Sequence, residues 1–282
     1  MTQTERFAPS PTGPLHLGHA FSALTAWERS RAAGGVFLLR IEDIDQTRAR
    51  APWEAQIYED LAWLGLSWAT PVLRQSQRQG AYRAALQSLW NDGLIYPCTC
   101  SRRDIEEALS APQEGARAVG PDGLVYPGTC RDTARTGPVP EGVALRLDSA
   151  LACARLSELC FEETGPIAAG THPINPQTFI AEVGDVVLAR KEFGTSYHLS
   201  VVVDDAAQGV THVTRGEDLF EATQIHVVLQ ALLGLPRPLY HHHGLIRDDA
   251  GKRLAKRDDA RALATYRAAG ATPQDIRAMI GL

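Results

Sequence analysis

The 282-residue sequence contains no apolar run approaching the ~20 residues that a membrane-spanning helix requires. Its N-terminus, MTQTERFAPS, lacks both the basic stretch and the apolar stretch of a secretory leader. These two absences predict a cytoplasmic protein without a membrane partner. Excess positive charge is missing too: 28 Lys and Arg stand against 33 Asp and Glu, a formal net charge of -5. That balance excludes nucleic-acid binding through a uniformly basic surface but leaves room for a local basic face. The five cysteines are an odd number, and Cys98, Cys100 and Cys130 fall in one region. Such usage favours a metal site or free thiols over a disulfide framework. No internal repeat or low-complexity tract is present, and the loosest stretch is the Pro/Gly-rich region Ala111 to Gly142.

What is present is ordinary globular usage, 44% hydrophobic and 22% charged. The length suits one main domain carrying an insertion. Arg6 to Ala8 reads as a short extended start, Pro9 to Pro14 as a loop, and Leu17 to Ala33 as a helix that Gly34-Gly35 ends. Val36 to Ile41 then has the continuous apolar character of a buried parallel strand, completing a β-α-β unit. Trp53 to Leu66 and Arg78 to Asn91 are amphipathic, with Ile57, Leu61 and Leu64 on one stripe and Tyr82, Leu86 and Leu89 on the other. From Ile95 to about Arg190 the texture changes to cysteine, proline and short alternating segments such as Val143 to Leu147, as expected of an α/β insertion. Apolar runs return at Asp185 to Ala189 and Ser200 to Val203, and a helix is predicted from about Glu217 to Leu233, where Gly234 and Pro236 stop it. Two short helical patterns, Ala260 to Ala269 and Pro273 to Ile280, close the chain.

The strongest local signal is Pro9-Ser10-Pro11-Thr12-Gly13-Pro14-Leu15-His16-Leu17-Gly18-His19. It places two histidines three apart, on one face, at the start of a helix. Free backbone N–H groups and the positive dipole end there suit phosphate oxygens, and imidazoles add donors. Gly13 and Gly18 allow backbone to approach a nucleotide. Alone, His-x-x-His equally suits a metal or plain capping. The second signal is Gly251-Lys252-Arg253-Leu254-Ala255-Lys256-Arg257, four cations around a glycine beside Asp248 and Asp249. Alone it is a solvated basic face; as a loop it can close over a triphosphate, with Lys256 the best-placed charge. His241-His242-His243 cannot all converge on one ion, because extended neighbours alternate faces.

Together these stretches resemble the glutamyl/glutaminyl branch of class I aminoacyl-tRNA synthetases. His16-Leu17-Gly18-His19 is similar to that class's HIGH motif and Arg253-Leu254-Ala255-Lys256-Arg257 to its KMSKS motif. Arg6 to Gly13, Val203-Asp204-Asp205 and Val210 to Glu217 also agree with the branch. The departures are Leu17 for Ile, Arg253 for Lys and Ala255 for Ser. The resemblance implies an α/β fold with a Rossmann-type, HUP-like parallel sheet. Its catalytic domain is expected over 1–94 and 191–257, an inserted α+β acceptor and zinc-binding subdomain over 95–190, and a C-terminal helical stub over 258–282. It further implies that ATP, with Mg²⁺, lies against Pro9, Thr12, Gly13, Gly18, His19, Arg253, Lys256 and Arg257, with His16, His19 and Lys256 catalytic. L-Glutamate would be met by Arg6, Phe7, Ala8, Pro9, Ser10, Glu42, Tyr197 and Arg215. Arg6 and Arg215 would take its carboxylates, Glu42 its ammonium group, and Tyr197 and Ser10 further hydrogen bonds. A structural ion pair between Arg215 and Glu42 is the competing account.

Residues i and i+2 of an extended chain point the same way, so the thiolates of Cys98 and Cys100 can reach one metal, with Tyr126 and Cys130 within loop reach. In the short glutamyl-Q subgroup of the branch, three cysteines and a tyrosine of this kind hold one zinc ion. His172 or a water is an alternative fourth ligand, and metal-free thiols are the alternative to a site. Cys153 and Cys160 read as helix packing. Only twenty-five residues follow Arg257, where full-length relatives continue into an anticodon-reading domain. A compact chain of this size has a radius of gyration of about 19 Å, too small to span a whole tRNA. Resemblance to the glutamyl-Q subgroup, in length and in the cysteine and tyrosine set, implies attachment of glutamate to queuosine in the anticodon stem-loop of tRNA(Asp), and a monomer is expected. Charging of the 3' end of tRNA(Glu), or glutamate or nucleotide binding without turnover, are the alternatives.

Overall fold

The structure, a computed structural model, describes residues 2–110, 119–246 and 261–282. The first half of the sheet is built by β1 (Thr4–Phe7), α1 (Leu17–Ala32), β2 (Val36–Ile41), α2 (Ala51–Trp63) and β3 (Ala69–Arg74). These strands are parallel in the order β1-β2-β3. Gly34, at φ 62°, makes the turn from α1 into β2 that a side chain disfavours. The chain continues through α3 (Gln79–Asn91) and β4 (Ile95–Cys98) to α4 (Arg102–Ser110), then β5 (Val119–Gly120) and β6 (Gly123–Leu124), which form a small hairpin. Next come β7 (Ala144–Leu147), α5 (Ser149–Arg155), β8 (Leu159–Glu163), β9 (Gly170–Ile174), α6 (Pro176–Thr178) and β10 (Val187–Ala189). Strands β4, β7 and β10 form a separate antiparallel sheet.

The second half of the main sheet is α7 (Tyr197–Ala207), β11 (His212–Gly216), α8 (Thr223–Leu232) and β12 (Leu239–His243), followed by α9 (Leu263–Ala268) and α10 (Pro273–Ile280). Strands β11 and β12 are parallel, β12 pairs with β8, and β8 carries β9 antiparallel on its far edge. The segment Leu159–Ile174, grouped with the insertion by its sequence texture, therefore extends the main sheet. Cys160 lies on that strand rather than in a helix, and the run Ser200–Val203 is the middle of α7. Strand β11 runs beside β1, tied by the Thr211 N–H to the Thr4 carbonyl at 3.0 Å.

Alternation decides what each strand face meets. Phe37, Leu39 and Ile41 of β2 join Phe7, Leu24, Leu61 and Ile276 in one core, each side chain adding ~1.5–3 kcal/mol on burial. Arg6 and Arg40 point the other way and meet Asp205 of α7. A second core, around Tyr82, Leu89, Leu147, Leu199 and Leu229, joins α3, α7 and α8 to the insertion. Among the described residues no helix is long and apolar enough to cross a membrane.

Candidate active site

Strand order reverses between β1 and β11, and in open α/β sheets ligands sit at such a point, beyond the carboxyl ends of the strands. A cleft of about 270 Å³ lies there. Of the residues expected to bind substrate, Arg6, Phe7, Ala8, His16, Gly18, His19, Glu42, Tyr197 and Arg215 all line it. Glu42 and Tyr197 also wall an adjoining hollow of about 350 Å³ that contains Ser10 and Thr12. Pro9 and Gly13 line neither; the Pro9 carbonyl accepts the Glu42 N–H at 3.0 Å, so the loop fixes the backbone of that glutamate. Arg253, Lys256 and Arg257 lie outside the described residues. Among the described residues near that stretch, Ile246 lines the cleft and Ala262 forms a β-bridge with His16.

His16 is the N-cap of α1, and its Nδ1 accepts the Gly18 N–H at 3.2 Å. His19 Nδ1 accepts the His16 N–H, also at 3.2 Å. A backbone N–H can only donate, so both neutral rings carry their proton on Nε2. The ring centroids are 3.8 Å apart. The pair thus presents two Nε2–H groups at a helix N-terminus, the arrangement that phosphate oxygens favour.

Arg6 is held by the Asp205 carboxylate at 3.1 Å, and Arg40 reaches the same oxygen at 2.7 Å. Burial disfavours the Asp205 carboxylate, but the two guanidiniums overcome it and hold its pKa below the ordinary range. Among the described residues the one ion-pair partner of Glu42 is Arg40, at 3.5 Å. Burial pushes its carboxyl up to about 7 against the opposing fields of Arg40 and Arg6. Tyr197 opens α7, which Ser196 caps through the Leu199 N–H at 3.4 Å.

Arg215, 6% exposed, makes no ion pair with Glu42. Its guanidinium donates to His242 Nε2 at 3.0 Å, His226 Nδ1 at 3.1 Å and Thr223 Oγ1 at 2.8 Å. Burial, then the field of Arg215, lowers the His242 pKa to about 4, and the same causes take His226 well below its ordinary value. Both imidazoles are neutral, so these partners do not cancel the charge of Arg215.

Sequence reading singled out Val203-Asp204-Asp205 only as a family-like stretch and gave its carboxylates no role in holding these side chains. Asp204 accepts from Tyr82 at 2.6 Å and Gln75 at 3.0 Å, fixing α3 to α7, while Asp205 places Arg6 and Arg40. The available signal was an acidic pair in an apolar helical run, since buried carboxylates require partners. His243 also lines the cleft, with Nε2 at 2.8 Å from Ser22 Oγ.

Three sulfurs converge in the insertion: those of Cys98, Cys100 and Cys130 lie within 4.8 Å of one another. Tyr126 Oη is 3.4 Å from Cys98 Sγ and 3.3 Å from Cys100 Sγ. Bond lengths of about 2.3 Å to sulfur and 2.0 Å to oxygen give tetrahedral S–O edges of about 3.5 Å, so the four atoms fit one zinc ion. Burial opposes the Cys130 thiolate, but hydrogen bonds from Tyr126, Thr99 and Cys100 bring that thiol down to about 7. His172 is not in this group; its Nε2 lies 2.6 Å from the Ala168 carbonyl and its ring packs between Phe161 and Phe220.

The family model for the catalytic domain of class I tRNA synthetases (E and Q) matches residues 3–132 and 165–282. A Glutamyl-Q tRNA(Asp) synthetase of Rhodobacter capsulatus is 70% identical over 98% of this chain and 99% of its own length. One from Nocardia farcinica is 42% identical over 98% of this chain and 82% of its own. Among solved structures, a glutamate-tRNA synthetase from Elizabethkingia anophelis superposes with a TM-score of 0.78 at 25% identity. That superposition covers 99% of this chain and 61% of the other, so the chain spans under two thirds of that synthetase.

Proposed function

Because the chain belongs to the class I tRNA synthetases of the glutamate and glutamine type, we propose that it activates L-glutamate with ATP and transfers it to queuosine in the anticodon of tRNA(Asp). The observation that carries the amino-acid assignment is Arg215, a buried guanidinium bonded to neutral partners and facing the same cleft as Glu42, Tyr197 and Arg6. A dicarboxylic amino acid answers that charge pattern: Arg215 and Arg6 take its carboxylates and Glu42 its ammonium group. His16 and His19 lie on the wall of this cleft.

In the reaction so assigned, the α-carboxylate oxygen of glutamate bonds to the α-phosphorus of ATP as the bond to the pyrophosphate oxygen breaks. A nucleophilic hydroxyl of the RNA then takes the acyl group and AMP leaves. Positioning and charge stabilisation suffice for the first step. His16 and His19 Nε2–H groups stabilise phosphate oxygens, Gly18 lets the nucleotide approach, and Thr12 and Gly13 belong to the loop that shapes its seat. Bound Mg²⁺ would supply charge neutralisation for the triphosphate, and Arg253, Lys256 and Arg257 would hold the departing pyrophosphate.

Cys98, Cys100, Cys130 and Tyr126 are assigned one structural zinc ion, and their convergence supports that reading. The choice of RNA follows the relatives named Glutamyl-Q tRNA(Asp) synthetase, which match this chain nearly end to end. A monomer acting in the cytoplasm completes the proposal. The test is to incubate the protein with labelled glutamate, ATP and Mg²⁺ and three RNAs: tRNA(Asp) with queuosine, the same tRNA without it, and tRNA(Glu). Label on the first alone is expected, and label on tRNA(Glu) would replace the proposed acceptor.

A further inference from the structure

A guanidinium has five N–H donors and accepts nothing. The described partners of Arg215 use three of them, leaving one N–H on each terminal nitrogen, the number a carboxylate takes in a two-point contact. These partners also fix the protons of a longer chain. Arg215 donates to His226 Nδ1, so the proton of neutral His226 is on Nε2. That atom lies 3.1 Å from His198 Nδ1 and donates to it, which puts the His198 proton on Nε2. His198 Nε2 in turn lies 3.3 Å from Asp122 Oδ1. Asp122 occupies the turn between β5 and β6, outside the main sheet and four residues before Tyr126. A second chain leaves the other side of the fork: Arg215 donates to His242 Nε2, and His242 Nδ1 meets the buried carboxylate of Glu163. Glu163 Oε1 also accepts the Gly165 N–H at 2.5 Å, and a Cβ on Gly165 would come within 2.3 Å of the His242 carbonyl. Arg215 can only donate, so each imidazole along both chains is locked in one tautomer.

We infer that His226, His198 and Asp122 are positioning residues of the amino-acid site: a one-way hydrogen-bond chain runs from the fork of Arg215 through His226 to His198, whose ring meets the Asp122 carboxylate of the insertion at ion-pair distance, and together they hold that fork for a side-chain carboxylate. A carboxylate placed directly on Arg215 would cancel its charge. Imidazole accepts the same hydrogen bond and leaves the charge to the ligand, while the donor-only fork of Arg215 sets the direction of the protons and the Asp122 carboxylate stands two rings away. The insertion thereby sets the affinity of the catalytic domain for its amino acid. This inference rests on the reading of Arg215 as the cation that binds glutamate.

Asp122 has 29% of its side chain exposed and lies on a surface hairpin, so replacing it leaves both main cores intact. Full-length wild-type, Asp122→Ala and Asp122→Asn proteins are compared by ATP–pyrophosphate exchange and by calorimetric titration with glutamate. Asp122→Ala is expected to raise KM and Kd for glutamate about five- to tenfold. KM for ATP should stay within about twofold, and Asp122→Asn, which keeps an oxygen facing His198 Nε2, should recover most of the loss. Unchanged glutamate affinity in Asp122→Ala overturns the inference. So does a parallel rise in both KM values, or an Asn variant as impaired as the Ala one. Wild-type protein without glutamate-dependent exchange would instead remove the assignment of Arg215, and the inference with it.

Discussion

Asp205 on α7 reaches across the switch point of the sheet to Arg6 on β1, carboxylate oxygen to Nε at 3.1 Å, from 199 residues along the chain. The same oxygen holds Arg40, so one carboxylate compensates two buried cations and fixes Arg6 at the cleft floor. Removing it leaves both guanidiniums buried without that partner. Asp205→Ala is therefore expected to lower stability by about 3 kcal/mol and to raise KM for glutamate, read by urea denaturation and pyrophosphate exchange. Unchanged urea midpoints would mean that the pair is not structurally important.

Glu42 carries the pH dependence. Its carboxyl in the fold titrates at about 7, above its ordinary value, so the folded protein holds that proton more tightly than the unfolded chain. The resulting stabilisation is present at low pH and is lost as pH rises through the window from the ordinary value to about 7. On the proposed reading, glutamate needs the ionised form opposite its ammonium group. KM for glutamate is expected to fall as pH rises from 6 to 8, and Glu42→Gln should abolish this trend while melting higher than wild type at pH 8. A Glu42→Gln enzyme with the wild-type pH profile would assign the titration elsewhere.

Local patterns carried much of this architecture. The apolar run Val36 to Ile41 became β2 and the His-x-x-His turn became the cap of α1, because both depend on neighbours within a few residues. Arg6, Glu42, Tyr197 and Arg215 were legible as a set only through their resemblance to a family, and the fold brings them to one cleft. Their supports were not legible. Asp205, His226 and His242 act over separations that no local period encodes, and a histidine in a buried helix reads the same whether or not it orients an arginine. Strand β8 was missed for a related reason: it pairs with β12 about 77 residues onward, inside a region whose cysteines and prolines suggested something separate. Lys256 was assigned by motif and lies outside the described residues.

His19 is expected to matter for chemistry more than for amino-acid binding. Its Nδ1 accepts the His16 N–H, so its ring N–H is on Nε2, the atom proposed to meet phosphate. His19→Ala should lower kcat for pyrophosphate exchange about 100-fold or more, with KM for glutamate little changed. The lost cap adds a stability cost of about 1 kcal/mol, seen as a lower Tm. A large rise in KM for glutamate at unchanged kcat would place His19 in substrate binding instead.

The sulfur cluster makes its own prediction, and Tyr126 decides its form. Burial pushes the Tyr126 phenol well above its ordinary pKa, so without a cation it stays protonated. Its oxygen nonetheless accepts the Cys130 N–H at 2.9 Å and lies beside two sulfurs, a setting that favours a phenolate once a divalent ion supplies the charge. Purified protein is expected to contain about one zinc ion, measured by plasma emission. Cys130→Ser should lose that zinc and melt at lower temperature, because a structural ion contributes folding energy directly. Tyr126→Phe is the sharper variant, since it keeps the ring that Arg146 covers at 3.9 Å and deletes only the oxygen. If the phenolate is the fourth ligand, competition with a chromophoric chelator should show zinc affinity reduced at least tenfold and less dependent on pH, one proton fewer being released on binding. Unchanged affinity and proton release would give the fourth position to water and leave Tyr126 the role of bracing the Cys130 backbone.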